Sequence, residues 1–91
     1  MAETARHIVF TGRVQGVGFR FIAFRVANRC QLTGWVRNCD DGNVEMIAQG
    51  CSDVIDDCIR DIQQSFARYI RETKIEEVLP DPNRKDFKIT F

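Results

Sequence analysis

The amino-acid sequence predicts an α+β fold in which two helices cover one face of an antiparallel sheet, in the order β-α-β-β-α-β with a short strand at the end. Three observations point there. Apolar residues alternate with the period of a strand in several separate segments. They recur at helical spacing in two others, and turn residues, not linkers, divide the segments.

"HIVFTGRV", residues 7–14, reads as the first strand, with Ile8, Phe10 and Val14 on one face. The glycine-rich turn "GRVQGVGFRF", residues 12–21, follows, and Ile22, Ala23, Val26, Ala27 and Cys30 then form the apolar stripe of a helix. "TGWVRNCDDGNVEMIAQG" reads as a hairpin about Asp41-Gly42, a pair suited to a tight turn with positive φ, and Val44, Met46 and Ala48 alternate on its second strand. In "CSDVIDDCIRDIQQSFA", Val54, Ile55, Cys58, Ile59, Ile62 and Phe66 make a second stripe, with Ser52 or Asp53 as N-cap. "KIEEVL", the turn "PDPN" and "FKITF", with Phe87, Ile89 and Phe91 alternating, complete the order. This is the split βαβ, ferredoxin-like arrangement, expected as a single domain over residues 1–91.

Composition narrows the function. With 44% hydrophobic and 29% charged residues the chain is ordinarily globular, and 91 residues allow one core. No apolar run approaches the roughly 18 residues that span a bilayer, and "MAETARH" is not a signal segment, so a cytoplasmic protein without a membrane partner is expected. Cys30, Cys39, Cys51 and Cys58 are then expected as thiols, and their spacing does not suit a zinc site. Basic and acidic residues balance overall, yet residues 1–37 hold six arginines against Glu3 alone. A basic first third suits an anionic ligand, whereas overall neutrality disfavours broad nucleic-acid binding.

The glycine turn is a place to hold that anion. The first N–H groups of a helix lack intrahelical partners and sit at the positive end of its dipole. Gly16 and Gly18 allow backbone conformations that aim successive N–H groups into one concavity, and no Ser, Thr, Asp or Asn caps the first helical turn. Arg20 adds a planar charged fork that matches two phosphate oxygens. The same residues also suit a plain tight turn with a surface charge. A Walker loop is absent, and the dinucleotide fingerprint fails where Phe21 replaces its third glycine.

"GRVQGVGFRF" followed by "GWVRNCDDGNVEMIAQG" resembles the two signatures of the acylphosphatase family, G-x-V-x-G-V-G-F-R and G-[FYW]-[AV]-x-N-x-x-x-G-x-V-x-x-x-x-G. The resemblance covers nearly the whole chain. It implies hydrolysis of an acyl phosphate to a carboxylate and inorganic phosphate without metal or cofactor, by an enzyme expected to be monomeric. The family's phosphate-binding arginine falls on Arg20, its loop amides on Gln15, Gly16, Val17, Gly18, Phe19 and Arg20, and its water-positioning asparagine on Asn38. Two departures stand out. Cys30-Gln31-Leu32 replaces the family's Leu-Gly-Leu and its helix-ending glycine, and "SFARYIRETK" lacks the usual Gly/Pro break, leaving the next strand's start undefined.

Other chemistry-bearing residues have plainer readings. Asn38 taken alone suits a turn asparagine bonded to its own backbone. His7 has no Ser or Asp partner in the pattern and is expected to be solvated. Cys39 should point away from Asn38 by strand alternation, which disfavours a nucleophilic thiol. Arg13, Arg25, Arg29 and Arg37 read as solvated faces, and Trp35 as packing. The alternative function is a non-catalytic ferredoxin-like module that binds an anion or nucleic acid. The strand aromatics of an RNA-binding module are missing, however. A carbamoyl-transfer module, as in hydrogenase maturation factors, would be followed by zinc-finger cysteines, so a free-standing enzyme is expected.

Overall fold

Alternation and helical periodicity become seven elements in the computed structural model, which describes residues 3–91. Strand β1 (Thr4–Gly12) leads into helix α1 (Phe19–Arg29). Strands β2 (Thr33–Asn38) and β3 (Val44–Gly50) form the hairpin, and helix α2 (Ser52–Ser65), β4 (Ile70–Val78) and β5 (Phe87–Ile89) follow. The sheet order is β4-β1-β3-β2-β5. Ile8 lies opposite Met46 of β3 and Ile75 of β4, both antiparallel, and Val36 of β2 lies opposite Met46.

One pairing departs from the all-antiparallel sheet expected: β5 runs parallel to β2, with Val36 opposite Ile89. The reason is topological. Strand β4 runs opposite to β2, so a chain that reverses once after β4 and lands on the outer edge of β2 must run alongside it in the same sense.

The sheet face bearing Ile8, Phe10, Val36, Val44, Met46 and Ala48 packs on Ala23, Val26 and Ala27 of α1 and on Ile55, Cys58 and Ile62 of α2. Full burial of a large apolar side chain is worth about 1.5–3 kcal/mol, so this one core carries the fold. Cys58 belongs to it, and burial pushes its thiol up to about 12.

Several boundaries move from their expected places. Strand β1 spans 4–12 because its pairing with β3 continues to Thr4 and its register with β4 shifts between Thr11 and Gly12. Val14 is nevertheless buried, beyond the strand. Strand β4 starts at Ile70, well before "KIEEVL", because Tyr69 and Ile70 both donate to the Phe66 carbonyl at 2.9 Å and close α2 without glycine or proline. The N-cap of α2 is Cys51, with no side-chain cap, and not Ser52 or Asp53. Ser52 Oγ instead accepts from Arg6 Nη2 at 2.7 Å. Phe91 lies outside the core and is fully exposed.

The hairpin turn is a three-residue loop, Asp40 to Gly42. Cys39 N–H donates to Asn43 O at 2.8 Å, Gly42 N–H to Cys39 O at 3.2 Å, and Gly42 has φ 91. Positive φ is thus confined to the glycine, and Asp41 Oδ1 braces the turn by accepting from Asn43 N–H at 3.0 Å.

Gln49 is buried on β3 and fully engaged. Its Oε1 accepts from Asp81 N–H and Arg84 Nη1, both at 2.9 Å, while its Nε2 donates to Asp81 O and to Glu3 Oε1. The amide pins the crossing between β4 and β5 and so sets where β5 lies.

Helix α1 ends in a Schellman motif: Leu32 N–H donates to Ala27 O and Gln31 N–H to Asn28 O, with Gln31 at φ 59. A residue with a Cβ is disfavoured in that left-handed conformation. Gln31→Gly is expected to stabilise the fold by about 1 kcal/mol, raising the melting temperature by about 4–8 °C in thermal unfolding.

Candidate active site

The loop between β1 and α1 owes its shape to two glycines. Gly16 has φ 77 and Gly18 φ 80, conformations that residues with a Cβ rarely adopt. A Cβ at either would meet nothing within 4 Å, so glycine serves the dihedral angle here and the space before the loop is open. Gly18 is the N-cap of α1, with no side-chain cap bond. Among the described residues, the backbone N–H groups from Val14 to Phe21 donate to no backbone carbonyl, and Ile22 N–H, bonded to Gly18 O at 3.2 Å, is the first that does. The run includes the amides of Gln15, Gly16, Val17, Gly18, Phe19 and Arg20, at the positive end of a helix dipole.

The surroundings hold this loop in place. Gln15 Nε2 donates to Cys39 O at 2.8 Å and to Asn43 O at 2.9 Å, tying the loop to the base of the β2–β3 hairpin. The buried Phe19 ring lies 4.9 Å from that of Phe10 and 4.5 Å from that of Phe66, and Val17 packs against the same core.

Arg20, on the first turn of α1, is half-buried. Its guanidinium lies 4.9 Å from the Phe91 ring centroid, and its Nη1 is 3.5 Å from Thr90 O, long for a hydrogen bond. Among the described residues no carboxylate pairs with it, whereas Arg6, Arg29, Arg37 and Arg60 are each paired. Asn38 closes β2 opposite Val44. The turn bonds expected of such an asparagine are made by Asp41 and Asn43, and among the described residues the Asn38 carboxamide has no hydrogen-bond partner.

Gly16, Gly18, Arg20 and Asn38 share one hollow of about 240 Å³, whose apolar wall is formed by Val14, Phe21, Ile89 and Phe91. An adjoining polar hollow shares Asn38 and Phe91 and adds Arg37, Cys39, Asp40 and Glu45. Of the residues singled out from the sequence, Gly16, Gly18, Phe19, Arg20 and Asn38 line this hollow, and Gln15 and Val17 do not. Phe21, Ile89 and Phe91 were not anticipated. Phe21 could have been noticed, because it falls off the apolar stripe of α1. The other two arrive through the parallel pairing of β5.

One expectation is corrected beside the hollow. His7 is not simply solvated: its Nε2 lies 2.7 Å from Glu45 Oε2. That hydrogen bond and the Arg37 guanidinium hold the Glu45 carboxyl below the usual carboxylate range, against the opposing pull of burial. Arg37 and Arg29 are exposed, as expected of solvated faces, and pair there with Glu45 and Asp61, Arg37 also lying over the Trp35 ring at 4.9 Å. Cys39 lies, as alternation predicts, on the other face from the first hollow, with Arg37 and Glu45 in the polar hollow. Burial and the Glu45 and Asp41 carboxylates push its thiol up, which keeps it protonated and a poor nucleophile.

The family model for acylphosphatase matches residues 6–89. The chain belongs to the acylphosphatase family. It is 41% identical to the acylphosphatase of Chlorobaculum tepidum over 98% of each chain. It is 42% identical to that of Geobacillus thermodenitrificans over 93% of this chain and 92% of the relative. The crystal structure of the acylphosphatase from Bacillus subtilis superposes with a TM-score of 0.87 at 28% identity, covering 97% of this chain and 99% of that one. The ferredoxin-like architecture is therefore that of an acylphosphatase. In physical terms the hollow offers unclaimed backbone donors, one unpaired guanidinium and one free carboxamide, a set matched to a tetrahedral oxyanion beside a water molecule.

Proposed function

We propose that the protein is an acylphosphatase that works in this hollow, cleaving the carboxyl–phosphate anhydride to a carboxylate and inorganic phosphate. Arg20 and the amides of Gln15 to Arg20 clamp the phosphoryl oxygens, and Asn38 positions the attacking water. The observation that carries this assignment is that Gly16, Gly18, Phe19 and Arg20, from a run of N–H groups without a backbone acceptor, share one hollow with Asn38.

The chemistry explains why so few groups suffice. The leaving carboxylate has a conjugate acid of pKa about 4, so it departs without a general acid. The remaining barrier is to bring water in line with phosphorus while charge shifts over the phosphoryl oxygens, a matter of positioning and electrostatics. A carboxamide can orient water through its oxygen and its N–H groups but takes no proton from it at neutral pH. The proton passes to a phosphoryl oxygen of the substrate.

A non-catalytic module is not favoured, because the matched relatives are acylphosphatases over nearly their whole length. We take residues 1–91 to act as one monomeric domain, supported by the single core that joins the elements, with no nucleic-acid or membrane partner. None of the described helices is long and apolar enough to cross a membrane. The four free cysteines suit a reducing, cytoplasmic setting.

The leaving-group chemistry gives a direct test. In the presence of a chelator, the purified protein should release phosphate from benzoyl phosphate and leave a phosphate monoester nearly untouched. Equal rates on the two substrates would contradict the assignment.

A further inference from the structure

Among the described residues the most exposed large apolar side chains are Phe21, Ile75, Leu79 and Phe91. Two of these four, Phe21 and Phe91, stand at the rim of the phosphate hollow. They are not equivalent. The Phe91 ring faces the Arg20 guanidinium and also borders the polar hollow beyond Asn38. Phe21 borders the first hollow only, on α1 one residue after Arg20. Its ring is 55% exposed, and the Arg25 guanidinium, one turn further along α1, lies 5.7 Å from its centroid and steadies it.

Attack in line with phosphorus separates the two reactants. Water enters on one side and the carboxylate departs on the other. With water at Asn38, which the polar hollow shares, the acyl group leaves on the side away from it, and Phe21 is the exposed large apolar side chain in the lining that the polar hollow does not share. An open aromatic ring waits there.

Building on the function proposed above, we infer that Phe21 is the acyl-group platform of this enzyme, a specificity-determining residue whose ring receives aromatic or apolar acyl groups while Arg20 and the loop hold the phosphoryl end. Small acyl groups gain little from it. An exposed aromatic side chain off the helix stripe contributes little to the core, and its place at the mouth gives it a use.

The test compares benzoyl phosphate with acetyl phosphate, using inhibition by inorganic phosphate as the internal reference. Phe21→Ala is expected to lower kcat/KM for benzoyl phosphate by about three- to tenfold, with acetyl phosphate and phosphate inhibition changed by less than about twofold. Phe21→Tyr, which keeps the ring, should retain the wild-type preference. If Phe21→Ala leaves the ratio of the two substrates unchanged, or lowers both alike, the platform is refuted while the hydrolytic assignment stands. If the wild-type protein hydrolyses neither substrate, the hydrolytic assignment itself fails and the platform falls with it.

Discussion

Replacing Arg20 by lysine is expected to lower kcat/KM for benzoyl phosphate by about 10²–10³-fold, the range seen when one donor aimed at developing charge is removed. Charge is conserved in this substitution, so the loss isolates geometry. The guanidinium is a rigid plane whose N–H groups reach two phosphoryl oxygens together, whereas an ammonium is a single point on a flexible stem. The fold should be little affected, because among the described residues the guanidinium's hydrogen-bond and ring contacts are the Thr90 carbonyl, at 3.5 Å, and the Phe91 ring. Inhibition by inorganic phosphate should weaken in parallel, since product and transition state share the tetrahedral oxyanion. Steady-state kinetics with phosphate inhibition measures both, and a variant matching the wild type in the two would remove Arg20 from the site.

Asn38→Ala should act on kcat by a similar factor, about 10²-fold, while phosphate inhibition changes by less than about twofold. The carboxamide has no partner among the described residues, so removing it breaks nothing that holds the hairpin. What disappears is the orientation of water, a contribution that matters only as the new bond forms. An effect mainly on KM would instead make Asn38 part of the binding surface for the phosphoryl group. Together the two substitutions separate holding the phosphate from delivering the nucleophile.

Much of this site was legible in the sequence because its information is local. Gly16, Gly18 and Arg20 lie within five consecutive positions, and the dihedral needs of a strand-to-helix turn are written in the residues themselves. Helix stripes such as Val26, Ala27 and Cys58, Ile59, Ile62 were legible for the same reason. What escaped depends on partners far along the chain. The amide of Gln49 meets Asp81 and Arg84, and Phe91 reaches Arg20 only because β5 settles beside β2. His7 and Glu45 are 38 positions apart, and no periodicity announces their meeting. Cys39, by contrast, was legible because alternation carries one residue past Asn38, to the face of Arg37 and Glu45.

The Gln15 amide, bonded to two carbonyls of the hairpin, has a consequence for turnover. With the loop braced across to the strand that carries Asn38, the receptor stands at working dimensions before anything enters it. Little backbone order then has to be created each time an anion arrives, so binding strength is not spent on arranging the loop.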